Sequence, residues 1–167
     1  YGQVFNTAAG TLTDWSFFVS SGSAGNLSFV VASWDGTKPV GSALYSAAVS
    51  YAGGAQTFSF SNINTLLATG SYISYVTVAN VVDPVPTGLI FAGSNSDGGL
   101  GGAFAFLNSN DVDPLTLSNA WITNWYTPNM QFSATINAAA VPEPETYAMF
   151  MAGLGLMGFV SRRRKTD

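Results

Sequence analysis

The chain has 167 residues, which is enough for one ordinary domain and a short appended segment. Only 8% of the residues are charged, whereas roughly 25% are charged in typical globular chains. Histidine and cysteine are absent. The composition therefore excludes Ser-His-Asp and Cys-His catalysis, a disulfide framework and a cysteine-bound zinc site.

Charge is unevenly distributed along the sequence. Residues 1–140 contain six aspartates and a single cation, Lys38, which gives them a net charge of −5, while most cations follow residue 160. A protein that binds nucleic acid needs a basic surface to neutralise phosphates. Nucleic acid is therefore excluded as a partner.

Residues 1–140 have the pattern of an all-β domain. Short runs in which apolar and polar residues alternate are separated by turn signals such as Asp35-Gly36. The clearest run is 56–62, where Phe58 and Phe60 alternate with polar residues. The predicted strands, in chain order, are 12–20, 26–34, 41–50, 56–62, 71–80, 88–92, 102–107 and 130–136, with 120–125 as a weaker candidate. Eight or nine short strands predict an antiparallel, jelly-roll-like β-sandwich.

The segment 141–167 has a different character. Residues 147–160 carry no charge and would span about 21 Å as a helix, less than the roughly 30 Å hydrocarbon core of a bilayer. Four cations follow directly, and such a cluster fits cytoplasmic lipid headgroups better than a protein core. We expect a short C-terminal transmembrane helix at 147–160, preceded by an exposed, extended linker at 141–145, where two prolines interrupt regular structure.

This tail resembles the bacterial PEP-CTERM sorting signal in the order of its three parts. The residues that carry the resemblance are Pro142, Glu143, Pro144, Arg162, Arg163 and Arg164. The resemblance implies an exported protein of a Gram-negative bacterium whose precursor is tail-anchored in the inner membrane. It assigns recognition by an exosortase to the Pro-Glu-Pro residues, membrane engagement to 147–160 and retention of topology to the arginines.

Residues 1–140 also resemble the ectodomains that precede PEP-CTERM signals, in the stretches DWSFFV, FVVASWDGTKPVGSALY, TGSYISYVTVA and MQFSATI. That resemblance implies a β-sandwich and leaves its ligand open. We therefore divide the chain into an ectodomain, 1–140, and a sorting tail, 141–167. The sequence starts at Tyr1 without the features of a signal peptide, and for an exported protein we expect such a segment outside it.

One loop has the oxygen-rich composition of a calcium site. Asn108, Asn110, Asp111 and Asp113 lie within six residues, and hard Ca²⁺ takes six to eight oxygen ligands. The spacing is not that of an EF-hand, and Asx turns explain the same residues without a metal. Calcium is the one cofactor that the sequence suggests.

A second cluster is aromatic. Trp121, Asn124, Trp125 and Tyr126 are close in sequence, and sugars stack their apolar faces on such rings while amides orient their hydroxyls. The alternative is that these rings fill the core, and we expect at least one of the two tryptophans to be buried.

Catalysis finds little support in these residues. Asp111 and Asp113 are the nearest pair of carboxylates for glycoside hydrolysis, but Asp113 precedes a proline and is more typical of a turn. We expect a non-enzymatic protein of the cell surface, the extracellular matrix or a biofilm exopolysaccharide. Sheet edges with few lysines suggest self-association as well. The alternative function is a carbohydrate-binding module retained in the exopolysaccharide.

Overall fold

A computed structural model describes residues 1–109, 111–123, 127–139 and 144–163. The described residues form thirteen strands, one 3₁₀ turn and one α-helix. In chain order these are β1 (Gly2–Thr7), β2 (Gly10–Ser21), β3 (Gly25–Trp34), β4 (Pro39–Tyr51), β5 (Gln56–Phe60), β6 (Thr65–Leu67), β7 (Gly70–Thr77), β8 (Ile90–Phe91), β9 (Gly93–Ser94), β10 (Phe104–Phe106), the 3₁₀ turn (Pro114–Thr116), β11 (Ile122–Thr123), β12 (Asn129–Met130), β13 (Phe132–Ala138) and α1 (Pro144–Arg163).

The strands form two main antiparallel sheets. The six-stranded sheet has the order β11-β10-β1-β7-β3-β4. The second, which we call the β2 sheet, is built around β2. Phe17 pairs with Phe132 of β13 and with Phe58 of β5, so these strands lie on opposite sides of β2. β6 and β8 also pair with β2, and β9 pairs with β12 to form a small two-stranded ribbon. The all-β, antiparallel sandwich predicted from the sequence is confirmed.

An aromatic inner core lies between the two sheets. Phe5 and Phe29 of the six-stranded sheet and Trp15 and Phe17 of the β2 sheet belong to one buried cluster. The Phe5 and Trp15 rings have centroids 5.0 Å apart, and the Phe29 ring stacks on that of Phe60 at 4.0 Å. Offset and tilted ring pairs add to the free energy gained from area burial alone. Aromatic contacts therefore hold the layers together alongside the aliphatic side chains of the same cluster.

The predicted strand positions correspond to β2, β3, β4, β5, β7, β8, β10 and β11, and the predicted run 130–136 spans parts of β12 and β13. β5 ends at Phe60 because Asn62 and Asn64 adopt positive φ angles of 59° and 50°, which asparagine tolerates better than most residues. The sequence did not predict β1, β6 or β9. Of these, β1 matters most because it lies between β7 and β10 within the six-stranded sheet.

The six-stranded sheet also has a buried outer face. Val30 and Ala32 of β3 alternate with the inner-core residues Phe29 and Val31, and they belong to a second apolar cluster. Its other buried members are Val4, Trp34, Ile73, Tyr75, Ala105 and Trp121, and Leu107 and Leu115 pack against it. The described residues 107–109 and 111–121 therefore cover this face, and we call them the cover segment.

A buried glutamine connects β1 with β12. The Gln3 side chain donates to the carbonyl of Val4 and to Oδ1 of Asn129, both at 2.9 Å, and accepts from the backbone N–H of Met130 at 2.8 Å. Buried polar groups are tolerated when they are hydrogen-bonded. Gln3 thus fixes the start of β1 against the strand ribbon at the end of the domain.

The C-terminal helix is longer than the predicted apolar run. It begins at Pro144 and ends at Arg163, whereas the sequence predicted a helix over 147–160. Proline is tolerated in the first helical turn because its missing N–H has no intrahelical acceptor there. Pro144 and Glu145 are therefore helical rather than part of an extended linker; the rest of that linker, 141–143, lies outside the described residues.

No helix among the described residues combines the length and the apolar character that a membrane crossing requires. The transmembrane helix predicted from the sequence is therefore not confirmed.

Two buried tyrosines allow a matched test of the packing of the six-stranded sheet. The hydroxyl of Tyr72 donates to the carbonyl of Ala68 at 2.9 Å, whereas that of Tyr75 has no hydrogen-bond partner among the described residues. We expect Tyr72→Phe to lower the free energy of unfolding by about 1 kcal/mol and Tyr75→Phe to leave it unchanged or raise it by up to about 1 kcal/mol. Urea unfolding followed by tryptophan fluorescence measures both.

The same pair differs in its response to alkali. Burial, together with the charge of Asp113, raises the pKa of Tyr75 above its ordinary value. A raised folded-state pKa provides stability that is present below the unfolded pKa of about 10 and is lost as the pH rises further. Tyr75→Phe should therefore reduce the alkaline loss of stability. If Tyr75→Phe lowers the free energy of unfolding at neutral pH by more than about 1 kcal/mol, the hydroxyl of Tyr75 is not unpaired.

Candidate functional site

A cavity of about 480 Å³ opens at the end of β7, between the six-stranded sheet, the loop that precedes β8 and the cover segment. Its apolar lining comes from β3 and β7 and from the loop that precedes β8. The polar lining comes largely from the start of the cover segment. The lining includes Leu27, Thr77, Leu89, Asn108, Asp111 and Trp121.

Trp121 is held at this cavity by contacts on two sides. Its backbone N–H donates to the carbonyl of Thr37 at 2.8 Å, and its ring meets those of Trp34 and Tyr75 edge to face, with centroids 6.2 and 5.4 Å apart. The side chain is only 6% exposed. Its indole N–H has no hydrogen-bond partner among the described residues. Trp121 is therefore a packed wall of the cavity rather than an exposed platform.

The turn that anchors Trp121 depends on Asp35. Oδ1 of Asp35 accepts from the backbone N–H of Thr37 at 2.7 Å, from its hydroxyl at 2.8 Å and from the backbone N–H of Lys38 at 2.9 Å. These hydrogen bonds, led by those from the two backbone groups, lower the pKa of Asp35 below its ordinary value. The aspartate thereby orients the carbonyl of Thr37, which receives Trp121.

The structure separates the residues of the candidate calcium loop. Asn108 and Asp111 are exposed and line the cavity, and Asp111 has a φ of 65°. Asp113 instead caps the 3₁₀ turn, because its Oδ1 accepts from the backbone N–H of Leu115 at 3.0 Å. Asn110 lies outside the described residues. Among the residues described, no three His, Cys, Asp or Glu side chains group as metal ligands; calcium binding here stays a prediction.

The candidate carbohydrate cluster is described only in part. Trp121 is buried, as we expected for at least one of the two tryptophans, while Asn124, Trp125 and Tyr126 lie outside the described residues. The cavity also contains Thr77 and Leu89, which the sequence analysis did not single out. No local pattern marks them, because the lining comes from segments that are far apart in the chain.

The sorting motif is likewise described in part. Pro144 starts α1, and Arg162 and Arg163 lie in its last turn. Cations suit the C-terminal end of a helix, where the backbone dipole is negative. Pro142, Glu143 and Arg164 lie outside the described residues. Proline, helix and arginines therefore follow one another in the predicted order.

Comparison with protein families identifies the tail. The PEP-CTERM protein-sorting motif matches residues 140–165, so the chain carries the signal of a PEP-CTERM protein. This motif implies export, a membrane-anchored precursor and processing by an exosortase. Comparisons with curated proteins and with solved structures give no match.

Removal of the Asp35 carboxylate tests how the turn supports the cavity. We expect Asp35→Ala to lower the melting temperature and to change the environment of the Trp121 indole, because Thr37 loses the hydrogen bonds that orient its carbonyl. Thermal unfolding and the indole N–H resonances measure the two effects. Asp97→Ala is the matched control, since the Asp97 carboxylate accepts one backbone hydrogen bond, from Gly99, in a loop outside the cavity lining.

The effect of Asp35 should also depend on pH. Because its folded-state pKa is lowered, its contribution is present above the unfolded pKa of about 3.9 and is lost as the pH falls through the folded value. The difference in stability between the wild type and Asp35→Ala should therefore shrink in acid. A difference that is independent of pH would contradict the role given to the carboxylate.

Proposed function

We propose that the protein is a non-enzymatic structural protein of the cell surface or extracellular matrix, which an exosortase processes at the tail. The observation that carries this proposal is the PEP-CTERM motif at 140–165, directly behind a β-sandwich with few charged residues. The sequence has no histidine, the residue used most often as a general base, and no cysteine thiolate to act as a nucleophile. The sandwich is thus better suited to forming contacts than to catalysis.

The junction between the sandwich and the tail supports removal of the tail. The last strand, β13, pairs with β2 through Ala138, and the backbone N–H of Ala139 donates to the carbonyl of Ala9 at 3.1 Å. These contacts all lie before the matched motif. The residues of the inner core also precede the motif, so the sandwich has a core of its own. Cleavage within the tail would leave every strand of the sandwich in place.

We propose that copies of the released domain associate through the outer edge of β4. β4 lies at the end of the six-stranded sheet and pairs with β3. Residues 39–51 carry no charge, and a long edge strand without charged side chains is a template for pairing with another chain. A second copy of the same strand can supply complementary backbone donors and acceptors in antiparallel pairing.

The second half of β4 is the part best suited to pairing. Between Val40 and Tyr45 the register with β3 shifts, and such bulges twist an edge away from partners. From Tyr45 to Tyr51 the register is continuous, and Ser46, Ala48 and Ser50 are exposed. We therefore assign the contact to residues 45–51.

The alternative function, a carbohydrate-binding module retained in the exopolysaccharide, is favoured by one observation. Trp121 and the polar residues Asn108 and Asp111, which belong to two separate candidate clusters in the sequence, line the same cavity. Retention of the purified chain on insoluble polysaccharide would support this alternative. The structural role requires no affinity for a soluble sugar.

A change in the Pro-Glu-Pro segment tests the sorting assignment. We expect Pro142→Ala combined with Glu143→Ala to reduce cleavage roughly tenfold. At least about 90% of the chain should then remain as tail-bearing precursor in the membrane fraction. Immunoblots of fractionated exosortase-containing cells measure this. Glu145→Ala removes the same charge two residues away and should be processed normally. Equal processing of both variants would show that the exosortase does not recognise Pro142 and Glu143.

Charges on β4 test self-association. We expect Ser46→Lys combined with Ala48→Lys to weaken association at least about tenfold, because lysines on an edge strand oppose pairing. Sedimentation analysis over a range of protein concentrations measures the change. Leu66→Lys, in β6 of the β2 sheet, combined with Asn95→Lys adds the same charge at exposed positions outside β4 and serves as the control. A wild-type chain that stays monomeric at high concentration, or equal weakening by both pairs, would contradict the proposed contact.

A further inference from the structure

The cavity at the end of β7 has the dimensions of a small-molecule site. Its volume of about 480 Å³ falls within the roughly 300–1,000 Å³ of typical ligand pockets. It is a concave site rather than a flat patch, since strands of the six-stranded sheet, the loop before β8 and the cover segment surround it. A single sugar unit with a short extension is the kind of ligand that such a space holds.

The lining combines apolar and hydrogen-bonding groups in one space. Leu89, which is partly exposed, and the small exposed part of the Trp121 ring supply apolar surface, and Asn108 and Asp111 supply an amide and a carboxylate. Sugars present apolar C–H faces and rows of hydroxyls, and they are bound by aromatic or aliphatic surface together with a few orienting polar side chains. The polar side chains are both exposed at the rim, where they can reach the hydroxyls of a ligand.

Charge narrows the class of ligand. Among the described lining residues, Asp111 is the one charged side chain. No lysine or arginine side chain is found among them to pair with a phosphate, sulfate or uronate, and a carboxylate at the rim would repel such groups. A neutral ligand avoids that repulsion, and its hydroxyls can donate to the carboxylate.

The wall of the cavity also holds an unused donor. The indole N–H of Trp121 is buried and has no hydrogen-bond partner among the described residues. Unpaired buried polar atoms are rare and often mark a place that a water or ligand completes. In this structure the atom lies beneath the surface, so a ligand in the cavity cannot reach it unless the Trp121 ring moves.

From these observations we infer that the cavity binds one unit of a neutral saccharide directly, with Asn108 and Asp111 orienting its hydroxyls and Trp121 providing the wall. The inference deepens the carbohydrate-binding alternative and rests on it, by naming the site and the class of sugar. Its test is independent of tail processing and of β4 pairing.

Titration of the full-length chain with methyl glycosides of glucose, galactose, mannose and N-acetylglucosamine provides the test. The four tryptophans give four indole N–H resonances, and Trp121→Phe assigns the one that matters. We expect at least one neutral glycoside to shift the Trp121 resonance saturably while that of Trp15, buried in the inner core, stays in place. Glucuronic acid should cause no shift, and EDTA should leave the affinity unchanged.

Two rim variants complete the experiment. Asn108→Ala combined with Asp111→Asn should weaken binding at least about tenfold; asparagine tolerates the positive φ of Asp111. Asn95→Ala combined with Asp97→Asn, outside the cavity lining, should bind like the wild type. Absence of any shift, equal binding of glucuronic acid, loss of binding in EDTA or unchanged binding by the rim variant would each overturn the inference. Retention on polysaccharide together with intact binding by the rim variant would place the carbohydrate site elsewhere.

Discussion

Burial of both faces of the six-stranded sheet is the constraint on which the rest of the structure depends. β1 is buried at four successive residues from Gly2 to Phe5, and β7 at five from Tyr72 to Val76. Antiparallel sheets commonly leave one face in water, but these strands have apolar side chains on both. One face packs on the β2 sheet. The other requires a second layer, which the cover segment supplies.

The cover segment provides that layer without being a regular sheet or a long helix. Its backbone groups must then find other partners: Val112 bonds to Ser109, Thr116 to Asp113 and Trp121 to Thr37. The arrangement leaves the indole of Trp121 and the hydroxyl of Tyr75 unpaired among the described residues. The cavity opens where the cover segment meets the end of β7, so the same irregularity that leaves polar atoms unpaired also produces the candidate site.

The sequence predicted the parts of the fold that local pattern controls. In β5, Phe58 and Phe60 face the inner core while Thr57 and Ser59 are exposed, because period-two alternation reports directly on a half-buried strand. β1 was missed because four consecutive buried residues, including Gly2 and a glutamine, show no alternation. Two-residue strands such as β9 exist only through pairing with distant segments, which local pattern does not record.

Some residues of the candidate site were predicted from the sequence, but its geometry was not. Trp121 drew notice as an aromatic ring, and Asn108 and Asp111 as oxygen ligands, but nothing in their spacing places them around one cavity. That placement depends on Val30, Ala32 and Trp34 of β3, which point away from the inner core. These apolar side chains pack against the cover segment on the outer face of the six-stranded sheet.

The distribution of charge connects the tail with the proposed behaviour of the domain. Four of the five cations lie in the tail at 162–165, so its removal leaves Lys38 alone against six aspartates. Fields between exposed charges are screened within about 10 Å at 0.1 M salt, and β4 has no charge between residues 39 and 51. A net charge of −5 therefore opposes general aggregation while leaving that edge free to pair. Contacts made through backbone amides and hydroxyls depend little on salt, which suits a protein that functions outside the cell.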